Sequence, residues 1–174
     1  MPFNYYAVPT HTQTQIFDRI ERMIGQLGLR IIAQDRQRPW GGFFVIDETQ
    51  TPLFLQQWFP HIPITQFAEG QKLSPKILVV APHKRLSWQY HHRRAELWRV
   101  LEGPVGIVTS YTDEEEPMQL LEVGQMIELA CGQRHRLVGL DNWGVLAEIW
   151  QHTDPDNPSD EYDIVRLQDD FGRK

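Results

Sequence analysis

The hydrophobic pattern along the chain changes once, from a helical period to a strand period. Between Thr14 and Leu27, apolar residues recur every three or four positions and charged residues occupy the others. This spacing predicts an amphipathic helix with one buried face, and Gly25 and Gly28 indicate where it ends. We expect that face to pack on a sheet or on a second subunit.

From Leu29 onward, short apolar segments alternate with turn residues and predict a series of strands. Turn signals such as Glu102-Gly103-Pro104 and Val123-Gly124 separate them. Because no helical pattern interrupts the series, it predicts an antiparallel sandwich or barrel. The expected strands are 29–34, 42–47, 52–59, 76–81, 86–91, 97–101, 105–111, 118–123, 125–129, 135–138 and 145–151, with a short strand and turn after 161.

Composition restricts the class of protein. The 174 residues suffice for one domain with its own core. A net charge of −6 argues against general nucleic-acid binding, which needs a basic face. The single cysteine, Cys131, rules out an internal disulfide framework and is consistent with a reducing cytosol. With no apolar run of membrane length and no signal-peptide pattern in residues 1–10, we expect a cytoplasmic protein without membrane partners.

A group of ligand-capable residues lies in the segment 85–103. Gln89 and His91 are one residue apart, so a strand would point both to the same face. A turn then returns Glu96 toward that face, and a closed barrel could place His135 opposite. The sequence predicts a metal site of these four residues, and the alternative is a barrel with a polar centre. Such ligands suit Zn²⁺, Fe²⁺, Mn²⁺, Ni²⁺ or Co²⁺.

The spacing of these residues and the glycines near them is similar to the two cupin motifs, with Gln89 in place of the usual first histidine. More narrowly, several motifs in the same order resemble the type II phosphomannose isomerases. These enzymes form the cupin C-terminal part of bifunctional mannose-1-phosphate guanylyltransferase/mannose-6-phosphate isomerases. The motifs are R-P-W-G at 38–41, Lys76, L-S-x-Q at 86–89, H-H-R-x-A-E-x-W ending at Trp98, H-R-L at 135–137, E-I-W-Q at 148–151 and D-I-V-R with D-D-F-G-R between 163 and 173.

The resemblance implies an all-β fold, a double-stranded β-helix or jelly-roll barrel, here with an N-terminal α-helix. It implies interconversion of mannose 6-phosphate and fructose 6-phosphate with one divalent metal, for which zinc is our first expectation. Because the match begins near Arg38, we predict an N-terminal extension over 1–37 and a cupin domain over 38–174. Guanylyltransferase activity is not expected of these residues. Cupins often pair, so we expect a homodimer.

The chain also departs from the family pattern at a few positions. These are Ala81-Pro82-His83, Trp88, Ala130 and Gly139. We expect them to flank the pocket, which leaves the metal site in place and the identity of the sugar open.

Aldose–ketose isomerisation moves a proton between C1 and C2, and needs a Lewis acid, a base and a cationic grip on the phosphate. His92 and Glu148 are the candidate bases, with Arg94 beside them as a further catalytic candidate. His92 should point away from His91 unless the turn begins there. Candidate phosphate ligands are Arg38, Lys76, Arg94 and Arg166, each of which could instead form a structural ion pair.

Two other functions stay open at this stage. One is a cupin oxygenase that uses Fe²⁺, for which O₂ uptake would be the evidence. The other is a non-catalytic sugar-binding cupin, which would bind a sugar without exchanging its C2 proton with solvent.

Overall fold

Two antiparallel sheets and two helices form the protein in the computed structural model, which describes residues 11–174. The prediction about a signal peptide concerns residues 1–10, which lie outside the described part. The helices are α1 (Gln13–Gln26) and α2 (Thr51–Trp58). The strands are β1 (Ile31–Arg38), β2 (Gly41–Ile46), β3 (Lys76–Val80), β4 (Trp88–Tyr90), β5 (Arg94–Glu102), β6 (Val105–Ser110), β7 (Gln119–Leu121), β8 (Met126–Leu129), β9 (Arg134–Val138), β10 (Gly144–His152) and β11 (Val165–Gln168).

The sheets face each other as the two walls of a barrel. One has the strand order β1-β2-β3-β10-β5-β8, and the other has the order β11-β4-β9-β6-β7. Side chains from both sheets, such as Leu78, Val80, Ile107 and Leu137, meet in one buried cluster between them. The expected all-β cupin barrel is confirmed.

Helix α1 covers the outer face of the six-stranded sheet. Its start is fixed by a capping box, in which Thr12 Oγ1 accepts from the Gln15 amide and Gln15 Oε1 accepts from the Thr12 amide. Phe17 on its buried face packs against Phe44 of β2, with ring centroids 5.6 Å apart. The predicted amphipathic helix is confirmed, and the sheet of its own chain covers its apolar face.

The segment 52–59, expected as a strand, is helix α2 instead. Its buried residues Thr51, Phe54, Leu55 and Trp58 recur at three- and four-residue intervals, which place them on one face of a helix. Pro52 lies in the first turn, where its missing amide hydrogen costs no hydrogen bond. The strand prediction was wrong because a short apolar segment fits both periods.

The central strands β3 and β10 of the six-stranded sheet are buried on both faces. In β10, Val145, Ala147 and Ile149 point to the helices, whereas Leu146 points into the barrel. Because side chains alternate along a strand, Glu148 lies on the barrel side between two residues of the outer core. This alternation is what brings charged side chains into the interior.

Two further features concern the membrane and domain predictions. Within residues 11–174, no helix is long and apolar enough to cross a membrane. The predicted domain boundary at residue 38 falls at the end of β1, which pairs with β2, and the boundary itself stays a prediction. The homodimer and the cytoplasmic location also stay predictions.

Candidate metal centre and cavity

Three of the four predicted metal ligands converge at one end of the barrel. His91 follows β4, Glu96 lies in β5 and His135 lies in β9, and all three are buried. His91 Nε2 is 3.2 Å from Glu96 Oε1, and His135 Nε2 is 3.4 Å from Glu96 Oε2. Their ligand atoms all lie within 4.8 Å of one another, close enough to share one ion.

The hydrogen bonds that both histidines make through Nδ1 leave Nε2 unprotonated, as metal ligation requires. His91 Nδ1 is 2.6 Å from the Asp163 carbonyl oxygen, and His135 Nδ1 is 2.9 Å from the Gln133 carbonyl oxygen. A carbonyl only accepts, so each Nδ1 carries the proton and each Nε2 presents a lone pair. Burial lowers the pKa of His91, which keeps its imidazole neutral.

Two buried atoms of this cluster lack a hydrogen-bond partner. Among residues 11–174, Glu96 Oε2 and His135 Nε2 make no hydrogen bond. Unpaired polar atoms are rare in protein interiors because each costs free energy. A divalent cation held by His91, Glu96 and His135 would satisfy both atoms, so the donor set fits the metal that the sequence predicts.

Gln89 lies beside these ligands, and its side-chain amide makes hydrogen bonds to neighbouring residues. It pairs with His135 across β4 and β9. Its Oε1 accepts from Ser87 Oγ at 2.6 Å, and its Nε2 is 3.5 Å from His91 Nε2. Metal ligation would use the amide oxygen, so the side-chain amide would have to flip, which exchanges the positions of Oε1 and Nε2. Its role as the fourth ligand stays a prediction.

Arg94 is buried against the same cluster. Its Nε donates to Glu96 Oε1 at 2.8 Å, its Nη2 is 3.2 Å from His91 Nε2, and its guanidinium lies over the Trp150 ring at 3.5 Å. Stacking and two polar contacts hold its charge at the edge of the metal centre. Arg94 therefore lies directly beside the candidate ligands His91 and Glu96.

A cavity of about 90 Å³ opens beside the cluster. Gln89, Glu96, Trp98, Glu148 and Trp150 form its inner wall. The structure brings all the predicted phosphate-binding cations to this cavity and adds one that the sequence analysis missed. The five cations are Arg38, Lys76, Arg94, Arg166 and Arg173. Arg173 belongs to the D-D-F-G-R motif, whose position in the resemblance could have identified it.

Glu161 is the acidic residue at the outer part of the cavity. Its Oε1 accepts from Lys76 Nζ at 2.7 Å, and its side chain is 66% exposed whereas that of Lys76 is 8% exposed. Lys76 also lies over the Trp150 ring at 3.6 Å. The pair thus joins a buried cation to a carboxylate that solvent can reach.

Glu148 is buried deep in the cavity wall. Its Oε1 accepts from Trp98 Nε1 at 3.0 Å. Burial and the nearby charge of Glu96 raise its pKa from 4.5 to about 7. A carboxyl group with such a pKa can both take and return a proton near neutral pH. The cavity thus holds one of the two predicted bases.

His92, the other predicted base, points elsewhere. It is exposed, and its ring meets the Tyr90 ring edge-on with centroids 5.3 Å apart. The cavity lining that residues 11–174 provide does not include it. The strand alternation continues past β4, so His92 points opposite to His91 and the proposal that it is the base is not supported.

The positions that depart from the family pattern do not line the cavity, although Trp88 directly precedes Gln89, which does. None of them is part of the lining formed within the described chain. Gly139 instead approaches Ala81 closely, and a Cβ at this position would lie 2.0 Å from the Ala81 carbonyl oxygen. Gly139 therefore concerns loop packing, whereas the expectation that the departures flank the pocket stays a prediction.

Comparison with known proteins agrees with this fold. Residues 56–169 match the family described as mannose-6-phosphate isomerase C-terminal. Two proteins named xanthan biosynthesis protein XanB, from two strains of Xanthomonas campestris pv. campestris, are 31% and 30% identical over 136 residues. That alignment covers 78% of this chain and 23% of each relative, so the chain spans about a quarter of their length.

Solved structures support the fold. CapF in complex with the inhibitor 3-isopropenyl-tropolone has a TM-score of 0.55 at 15% identity, over 78% of this chain and 34% of that one. The capsular polysaccharide assembling protein CapF from Staphylococcus aureus has a TM-score of 0.52 at 15% identity, over 78% and 31% of the two chains. These likenesses concern architecture alone. The match to the family, which covers most of the chain, shows that this protein is a cupin of the mannose-6-phosphate isomerase C-terminal family.

Proposed function

We propose that this domain is a metal-dependent sugar-phosphate isomerase that interconverts mannose 6-phosphate and fructose 6-phosphate. The observation that carries the proposal is the combination of a ligand cluster with unpaired atoms and, in the cavity beside it, a buried carboxyl group of pKa about 7. Family membership supports the same sugar chemistry.

His91, Glu96 and His135 would hold the ion, with Gln89 as the proposed fourth ligand. Zinc is our first choice, and Fe²⁺, Mn²⁺, Ni²⁺ or Co²⁺ would suit the same donors. When bound, a divalent ion supplies a Lewis acid for the two sugar oxygens that exchange roles in the reaction.

Glu148 is the proposed base. Its ionised form takes the C2 proton of the aldose, exchanges it with solvent and gives a proton to C1 of the enediol(ate), while the hydroxyl proton moves from O2 to O1, so one carboxyl group serves both carbon-bound proton transfers. Trp98 binds one of its oxygens, which orients the group. Arg94, next to Glu96 and stacked on Trp150, is the proposed contact to the sugar oxygens and stabilises the negative charge that develops on them.

The charge of the cavity suits a phosphate group. Its lining holds five cationic side chains and three carboxylates, so the balance is positive even when every carboxylate is ionised. The proposed phosphate ligands are the other four cations, Arg38, Lys76, Arg166 and Arg173. Guanidinium groups match the geometry of phosphate oxygens, which favours the three arginines among them. Arg166 Nε is buried without a hydrogen-bond partner among the described residues, which leaves it available.

The test uses mannose 6-phosphate and metal-replete protein in D₂O, with NMR to follow fructose 6-phosphate and deuterium at the exchanging carbon. We expect both signals from the wild type and neither from His91→Ala or Gln89→Ala. Product without metal dependence would refute the proposed centre. Saturable binding without exchange would indicate a sugar-binding cupin, and stoichiometric O₂ uptake would indicate an oxygenase.

A further inference from the structure

Asp163 makes an unusual set of contacts with the turn between two of the metal ligands. Its Oδ1 accepts from the His92 amide and its Oδ2 from the Arg93 amide, each at 3.0 Å. These two amides belong to the turn that separates His91 from Glu96. Asp163 itself is buried. A carboxylate that binds two successive amides fixes the path of the backbone there.

The main chain of the same residue orients a ligand directly. The Asp163 carbonyl oxygen accepts from His91 Nδ1 at 2.6 Å. This bond decides which ring nitrogen carries the proton and which way the ring points. Both the backbone around His91 and its imidazole are therefore held by one residue, 72 positions further along the chain.

Ser159 connects Asp163 to Arg94. Its Oγ donates to Asp163 Oδ2 at 2.6 Å and accepts from Arg94 Nη1 at 2.9 Å. The Ser159 amide donates to His152 Nδ1 at 2.8 Å, at the end of β10. The position of Asp163 is thus tied to the sheet that carries Glu96, and Arg94 is tied to Asp163.

We propose that Asp163 is a positioning residue for the metal centre, which holds His91 and Glu96 in the relative placement that a divalent ion requires. The inference rests on the proposed metal site. Asp163 does not touch the reacting atoms or the ion, and its effect passes through His91 and the turn. A carboxylate needed only to close the turn would affect folding stability and leave the metal affinity of the folded protein unchanged.

The experiment measures the dissociation constant of Zn²⁺ by competition with a chromophoric chelator, and the visible spectrum of the Co²⁺ form. Asp163→Asn keeps the size and the backbone carbonyl but loses one acceptor oxygen. We expect it to weaken Zn²⁺ binding by about 10- to 100-fold, as is usual for groups that orient metal ligands, and to alter the Co²⁺ absorption. The matched control is Asp154→Asn, because Asp154 caps two amides of the same loop, those of Asp156 and Asn157. It should leave both readouts unchanged.

Folding is checked on the metal-free proteins by circular dichroism. If Asp163→Asn does not fold, Ser159→Ala gives the second test, since it removes the bonds to Asp163 and Arg94, and we expect about a tenfold weaker affinity. Folded Asp163→Asn with wild-type affinity and an unchanged Co²⁺ spectrum would overturn the inference. Wild type that binds no metal would overturn it together with the metal site, whereas wild type that binds metal without isomerising mannose 6-phosphate would refute only the proposed reaction.

Discussion

The two faces of the six-stranded sheet differ sharply in chemistry although they share every strand. On the outer face, Ala147 and Ile149 join helices α1 and α2 in an apolar core. On the barrel face, one position away, Glu148 and Trp150 border a cavity that also holds Glu96 and Lys76. A single strand therefore alternates between a hydrophobic core and a charged site.

The contrast between the two faces indicates how the fold accommodates the cost of burying charged groups. Burying charges costs free energy unless each has partners, and even paired charges contribute little net stability. Apolar burial contributes about 25 cal/mol for each Å² removed from water. Apolar burial on the outer face and in the cluster between the sheets therefore supplies stability, and part of it offsets the cost of keeping the charged groups of the cavity away from solvent.

The largest expected effect comes from Glu148→Gln on the barrel face. This change keeps the shape of the side chain and removes its ability to accept a proton, so isomerase kcat should fall by about 10²- to 10⁴-fold. Coupled turnover assays with mannose 6-phosphate measure it. Metal content should stay the same. The control is Ile149→Val, the next residue on the opposite face, which should leave kcat intact. Equal losses from both changes would mean that the faces are not functionally distinct.

The second-largest expected effect is on the free energy of unfolding and comes from the outer face of the sheet. Phe17 is fully buried against Phe44 and Trp143, so Phe17→Ala should lower the free energy of unfolding by about 3–5 kcal/mol through lost contacts and a cavity. Urea denaturation measures the change, and the exposed Arg22→Ala on the same helix serves as control with an effect within about 0.5 kcal/mol. Zn²⁺ affinity of the folded variant should not change. A weakened metal site would show that the two faces are coupled.

Much of this contrast could be predicted from the sequence because it depends on local periodicity. Alternation along strands predicts the barrel, and the charged Glu148 between Ala147 and Ile149 already indicates a polar interior or solvent. The spacing of Gln89 and His91 likewise follows from the period of a strand, and the turn after them returns Glu96 to the same face. Helix α2 could not be distinguished from a strand, since a segment of eight residues fits either the helical or the strand period.

The remaining features depend on contacts between distant parts of the chain. The direction of His92 depends on where its turn begins, and Asp163, 71 residues away, binds the amide there. No local pattern encodes that contact. Glu161 and Arg173 come from the C-terminal segment and reach the cavity only once β11 pairs with β4. Sequence spacing predicts side-chain direction within a strand but not which loop closes over it.

A third expected effect concerns pH and the metal-free protein. The pKa of Glu148 is about 7 in the folded state and near 4.5 when the chain is unfolded. Protonated Glu148 therefore favours folding: this contribution is complete below pH 4.5 and is lost as the pH rises through about 7. A shift of this size corresponds to about 3 kcal/mol.

Glu148→Gln removes this titration, so the variant should gain about 3 kcal/mol relative to wild type between about pH 4 and pH 8. Urea denaturation in the presence of a chelator, at several pH values, measures the difference. Ile149→Val should lose about 1 kcal/mol of stability without involving a charge. Its plot of stability against pH should therefore run parallel to that of wild type. A parallel curve for Glu148→Gln as well would contradict the burial of an ionisable group on the barrel face.

The smallest expected effect concerns the mouth of the cavity, where the barrel face meets solvent. If Lys76 binds the substrate phosphate as proposed, Glu161 competes with that phosphate for it. Glu161→Gln should then lower the KM for mannose 6-phosphate by about two- to fivefold, as expected for a partly exposed ion pair. Its stability should change by less than about 1 kcal/mol. Glu115→Gln is the matched control, since Glu115 pairs with the buried Arg136 outside the cavity lining, and its KM should equal that of wild type. A raised KM for Glu161→Gln would instead mean that Glu161 binds the sugar, and the cation excess alone would then not explain phosphate recognition.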